Sequence, residues 1–307
     1  MDISFPTTVG TEGAWSLEEM ADWASEHGFD CVRLAITGVA DPEVVIREGP
    51  DRITETLASR GLYLAALQAG SRPSVLDADP EVSARYQARL LRAVEAAAVL
   101  GAPVVVTNTG SPCSWHFYGM PSIPPGNPTY RVDEVVQAFK EKFTPVVRLA
   151  EDKGIKIALD TAVRMGNIAC NPEMWDRCLD AIPSDALGLS CDPSHLVWLH
   201  IMPVEDAIRM FEGKWYYADV KDCEISPHML FRQGIIGNWW WQYRVPGRGQ
   251  LNWGTIIGAL RSVGYDYVLC VENEDRDCPG LEGFEVGRRH LAQFLPSKST
   301  ARGRAQG

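Results

Sequence analysis

Four acidic residues each stand at the end of an apolar, β-prone run: Asp160 in KIALD, Asp192 in LGLSCD, Asp219 in WYYAD and Glu272 in YVLCVE. A carboxylate there does little for packing, although any one alone would serve as the N-cap of a following helix. Four of them in one place would repel strongly unless protons or a cation neutralised them, and a bound divalent metal is the simplest neutraliser. His195, three residues beyond Asp192 in DPSH, is near enough to orient a ligand, bind substrate or offer a nitrogen donor; alone it would be a structural hydrogen-bonding group. Lys221, in VKD, could steady an enolate or pair with the adjacent Asp222.

The elements that must gather these residues are legible as periodicity. Short apolar or β-branched runs at 2–5, 31–36, 62–68, 103–108, 156–160, 187–192, 215–220 and 267–272 alternate with stretches such as SLEEMADWASEHG and VDEVVQAFKEKFTPVVRLAEDKG. The latter repeat apolar residues at helical spacing and close on glycine. Ser16, followed by Glu18 and Glu19, gives the first of them an N-cap and an acidic first turn. The alternation predicts an α/β fold with a parallel sheet, a single-domain (β/α)8 TIM barrel over residues 1–296 followed by a disordered polar tail at 297–307. In such a barrel the C-terminal strand ends form the mouth where active sites are built.

Two segments, 110–130 and 222–250, are too long for plain connectors and are expected to wall a pocket. They carry Trp115, His116, Phe117 and Tyr118 on one side and Trp239, Trp240 and Trp241 on the other. Such faces stack on sugars or on an aromatic aglycone, and would equally suit a subunit interface. Trp115, His116 and Trp240 are the candidates for substrate contact.

Composition narrows the class. A chain of 307 residues, 46% hydrophobic, can bury a full core, and its net charge of −11 opposes a phosphate-tracking surface, so no nucleic-acid partner is expected. No uninterrupted apolar run of about 18 residues occurs, and MDISFPTTVG lacks the basic start and apolar run of a signal peptide. No membrane association and a cytoplasmic location are therefore expected. The eight cysteines include no CxxC pair and are expected to be reduced thiols. Gly247-Arg248-Gly249 is too slight a signal for an anion nest, and a phosphorylated substrate is not predicted.

The stretches GIKIALD, NPEMWDRCLDAI, LGLSCDPSHLVW, YYADVKDCEI, YRVPGRGQLNW and GYDYVLCVENED carry a resemblance to the xylose-isomerase-like barrels of the sugar phosphate isomerase/epimerase family. In that family a Glu after the fifth strand, an Asp after the sixth, a His after the seventh and a Glu after the eighth hold one divalent ion, commonly manganese. Asp192 and Glu272 match this pattern, while Asp160 stands at the Glu position and Asp219 at the His position. Asp160 is one methylene shorter than Glu, and Asp219 makes the set all-oxygen, which favours Mn²⁺ or Mg²⁺ over zinc. The resemblance implies an isomerase or epimerase acting on a sugar or keto-sugar. Carboxylates at the Asp160 and Glu272 positions would move a proton through an enediolate beside the ion. Arg244 matches a position that contacts substrate oxygens, or else it holds its loop by a salt bridge.

Two other readings share this chemistry or this scaffold. One is a lyase that cleaves 3-keto-glycosides, O- or C-linked, by elimination. The other is a metal-less sugar-binding pseudoenzyme, in which the site has decayed at Asp160 and Asp219. DNA-repair endonucleases of this barrel type need a trinuclear site richer in histidine than the six in this chain provide. The partners expected are thus a carbohydrate or glycoside substrate and other protein chains, as a homo-oligomer or a partner subunit.

Overall fold

Each of the eight apolar runs forms a parallel strand in the computed structural model, which describes residues 1–7, 15–70, 74–113, 130–161, 167–235 and 237–296. The strands are β1 (Asp2–Pro6), β2 (Cys31–Ala35), β3 (Tyr63–Gln68), β4 (Val104–Thr107), β5 (Lys156–Asp160), β6 (Leu187–Cys191), β7 (Trp215–Val220) and, after a hairpin made of β8 (Asp222–Ile225) and β9 (Trp241–Arg244), β10 (Val268–Val271). They close in the order β1-β10-β7-β6-β5-β4-β3-β2, which is sequence order around a barrel. Helices cross between them, as a (β/α)8 fold requires.

Strand alternation then sorts side chains into two cores. On β5, Ile157 and Leu159 face outward into the large cluster shared with helix residues such as Phe139, Phe143, Trp175 and Phe284. Ala158 faces the bore, which is packed with Cys31, Ala65, Ala66, Val104, Val106, Tyr217, Val268 and Cys270. Most of these are small, and that leaves room for one long side chain, Arg33 of β2, whose guanidinium carbon lies 5.7 Å from the centre of the Tyr217 ring.

Close strand packing also leaves no room for a side chain at Gly188 on β6. A Cβ there would stand 2.4 Å from the Lys214 carbonyl oxygen and 2.5 Å from the Tyr216 ring. Because backbone cannot rotate away, Gly188→Ala is expected to cost about 1–3 kcal/mol, read from the shift in the urea unfolding midpoint.

Residues 222–250, expected as a loop, contain structure of their own. β8 (Asp222–Ile225) pairs antiparallel with β9 (Trp241–Arg244), and a helix Pro227–Gln233 sits between them. Asp222, fully buried, ties this excursion to the barrel. Its carboxylate accepts from the backbone N–H of Cys223, Gly247 and Leu251 and from the Trp253 indole N–H, at 2.8 to 3.1 Å. Asp222→Ala would orphan those donors and should destabilise the protein by about 3 kcal/mol or more, measured by urea denaturation.

The expected capping box at Ser16 and Glu19 is present, and all eight cysteines are unpaired thiols. Among the described residues no helix is long and apolar enough to cross a membrane. Trp115, His116, Phe117, Tyr118 and the tail 297–307 lie outside the described residues.

Candidate active site

The same alternation that fills the bore delivers the acidic mouth. Asp160 follows Ala158, Asp219 follows Tyr217 and Glu272, one residue past β10, follows Cys270, each two residues further along the extended chain and on the same inward side. Asp192 comes one residue after β6, where it caps the helix Pro193–Trp198: its Oδ1 accepts from the Ser194 N–H at 3.1 Å and the Ser194 hydroxyl at 2.7 Å. It is thus both a helix cap and a member of the cluster, because Oδ2 faces His195 Nε2 at 3.0 Å.

Two cations run between these acids. Arg33 reaches up the bore and donates from Nη1 to Asp219 Oδ1 and from Nη2 to Glu272 Oε1, the second at 2.8 Å. Lys221, just past β7, donates from Nζ to Glu272 Oε2 at 2.8 Å and Glu274 Oε1 at 3.0 Å, and stands 3.3 Å from Asp192 Oδ2. It also lies 4.7 Å from the centre of the Tyr243 ring. The Ser190 hydroxyl donates to Asp219 Oδ2 at 2.9 Å and the Asn108 amide to Asp160 Oδ2 at 2.8 Å.

This wiring separates the acids into two kinds. Burial pushes the Asp160 carboxyl up, and the neighbouring Asp192 and Glu272 charges add to it. Burial likewise pushes Asp219 up to about 8, against the pull of Arg33. Burial also works against ionisation of Asp192 and Glu272, but it is outweighed. His195 and Lys221 hold Asp192 below the usual carboxylate range, while Lys221 and Arg33 do so for Glu272. Burial disfavours the Lys221 ammonium, yet Asp192, Glu272 and Glu274 keep it charged far above the ordinary lysine range. The two fixed cations thus hold Asp192 and Glu272 toward the ionised form, whereas burial shifts Asp160 and Asp219 toward the protonated one.

The expectation of one ion shared by Asp160, Asp192, Asp219 and Glu272 meets a different arrangement. Seven of the eight oxygens of these four carboxylates face a protein donor. Among the described residues no group of three or more His, Cys, Asp or Glu side chains is placed to hold an ion. The donor set does not fit a divalent metal, because the oxygens an ion would gather are turned toward Lys221 and Arg33.

Other expected residues fall into place with corrections. Lys221 and Asp222 point to opposite sides of an extended chain, so Lys221 pairs with Asp192, Glu272 and Glu274 instead of its neighbour. Arg244 is a loop clamp, bonded to Glu224 at 2.8 Å and to Asp275 at 3.0 Å. Trp240, expected at the substrate, is 3% exposed. It packs inward on Trp198 and His200 and donates its indole N–H to the Ile235 carbonyl. Its neighbours Trp239 and Trp241, with Tyr243, Arg244, Glu274 and Arg276, wall a cavity of about 330 Å³ that borders Lys221 through Glu274 and Tyr243.

Arg33, Asn108, Ser190, Tyr243 and Glu274 were not singled out from the sequence. The signal for Arg33 was present: a lone arginine inside the apolar strand CVRLA is affordable only if buried acids await it.

The barrel, its sequential strand order and its polar C-terminal mouth define a family that sequence comparison identifies directly. The chain matches the xylose isomerase-like TIM barrel family over residues 21–294 and belongs to it. It is 24% identical to the uncharacterized protein YfiH of Bacillus subtilis, over 96% of this chain and 99% of that protein. Among solved structures it is similar to the IolI protein with a binding zinc atom (TM-score 0.70, 17% identity, 96% of this chain and 99% of that one). It is also similar to the Escherichia coli 3-keto-D-glucoside 4-epimerase YcjR (0.69, 14%, 96% and 98%) and to an L-ribulose 3-epimerase (0.68, 18%, 99% and 97%).

Proposed function

We propose that this protein is an isomerase or epimerase of a sugar or keto-sugar, moving a proton on carbon through an enediolate. The observation that carries the reading is the gathering, in one buried mouth, of Asp160, held by Asn108, and Glu272, held between Lys221 and Arg33, with burial shifting the first toward its protonated form and the two cations keeping the second ionised. Environments that drive two carboxyls apart in this way assign an acid and a base. In this reading Glu272 takes the proton from the carbon beside a carbonyl and Asp160 returns one, so the configuration at that carbon is rewritten without net consumption. A substrate would enter through the cavity lined by Trp239 and Trp241, whose faces suit a sugar ring, and reach Lys221 past Glu274. Epimerases named for keto-sugars and a 3-keto-glucoside among the similar structures support this substrate class.

The aromatic wall gives one reason for a second reading, elimination from a 3-keto-glycoside, in which Trp239 and Trp241 receive the aglycone. Incubation with ketohexoses and 3-keto-glycosides in heavy water separates the two. Deuterium on carbon in an intact sugar supports isomerisation or epimerisation, and a freed aglycone supports elimination. Binding, seen by tryptophan fluorescence, with neither outcome would replace both by a sugar-binding role.

A further inference from the structure

We propose that Lys221 takes the place of a divalent ion in this barrel: its ammonium is the electrophile for the substrate oxygen, and the site works without metal. The inference rests on the keto-sugar reading for its chemistry, but not for the position of the charge. That position is fixed by three acids from different parts of the mouth, Asp192 after β6, Glu272 at the end of β10 and Glu274 two residues further on, at 3.3, 2.8 and 3.0 Å from Nζ. Asp192 and Glu272 are the two residues that match the family's ligand pattern, and both spend their Oδ2 or Oε2 atom on this ammonium. An ion gathering the same two oxygens would have to displace Lys221 or lie against it, and two cations in one buried site repel strongly.

The remaining positions agree. Asp219, at the position of the family's histidine, is turned away to Arg33 and Ser190, so both its oxygens are occupied there and the Lys221 side is left clear. Arg33 thereby neutralises the far oxygen of Glu272 as well. Together the two side chains supply charge that a dication would bring, but spread over two points held by β2 and by the end of β7.

The three acids around Lys221 are unequal in a way that gives the substrate a route. Asp192 is 2% exposed and Glu272 12%, whereas Glu274 is 29% exposed and lines the cavity beside Trp241 and Tyr243. A carbonyl oxygen entering from that cavity displaces Glu274 and accepts its hydrogen bond. When the neighbouring C–H bond breaks, its electron pair forms the C=C bond, the carbonyl π pair moves to oxygen, and the proton passes to the carboxylate base. The oxygen's new charge is met by the Lys221 N–H donors; return of a proton to carbon reverses each movement.

The test reads ion binding separately from turnover. Wild-type protein, stripped with chelator and returned to chelator-free buffer, is titrated with Mn²⁺ by the loss of free-ion EPR signal and with Zn²⁺ against a chromophoric chelator. Neither ion should bind stoichiometrically, and deuterium exchange into a keto-sugar should be unchanged by EDTA. Lys221→Ala should bind Mn²⁺ where the wild type does not, while its exchange falls by about 100-fold or more. Stoichiometric Mn²⁺ or Zn²⁺ on the wild type overturns the proposal, as does a folded Lys221→Ala that gains no ion affinity. The wild-type titration needs neither a folded variant nor a known substrate, so its result stands apart from that of the keto-sugar reading.

Discussion

Arg33→Met should unfold with about 3–5 kcal/mol less stability than the wild type in urea, a larger loss than any exposed arginine in the chain would cause. The guanidinium is 2% exposed and holds Asp219 and Glu272 at once. Methionine fills much of the stem's volume but leaves the buried Asp219 and Glu272 side chains without the donor they share. The control is Arg131→Met, whose partner Glu134 is on the surface; there the change should stay within about 1 kcal/mol. Equal losses in the two variants would show that the guanidinium in the bore neutralises nothing.

Asp160→Asn should leave stability nearly untouched and lower proton exchange into a keto-sugar by about 10²–10⁴. The amide oxygen can still accept from Asn108, which bonds the native carboxyl at 2.8 Å, and a group that burial already pushes toward its neutral form loses little by becoming permanently neutral. What disappears is the transferable proton. The expected signature is a fall in kcat with KM held, together with an unchanged urea midpoint. An exchange rate within a few-fold of the wild type would remove Asp160 from the proton path and leave Glu272 without its partner.

The strands were legible because their physics is local. β5 and β7 occupy the stretches 156–160 and 215–220 that periodicity marks, and the other six barrel strands differ from expectation only at their ends. The acidic mouth was legible for the same reason: alternation carries a strand-end residue to the bore side once the fold is known. What was not legible depended on pairing at a distance. β8 and β9 are four residues each, and neither stabilises itself; they exist because Asp222 and its four donors meet across 31 residues of chain. Lys221 could be assigned a side of the chain but not its partners, which come from the helix cap after β6 and the segment after β10. Trp240 shared every property of Trp239 and Trp241 in sequence, and only the turn of the hairpin put it inside. Arg33 was readable as an anomaly in its strand, yet its meaning required knowing that β2 opens onto the same bore as β7 and β10.

The unpaired cysteines turn the barrel into a self-reporting instrument. Cys31 on β2 and Cys270 on β10 flank β1 from its two sides, and Cys191 lies further round on β6, each buried and each with its thiol pushed up by that burial. Thiolate is the reactive form, so none of the three can be alkylated until its strand opens. The order in which a reagent reaches them is a map of where the closed sheet first parts. A seam at β1 and β10, where the two ends of the chain are joined by pairing alone, would surrender Cys270 before Cys191.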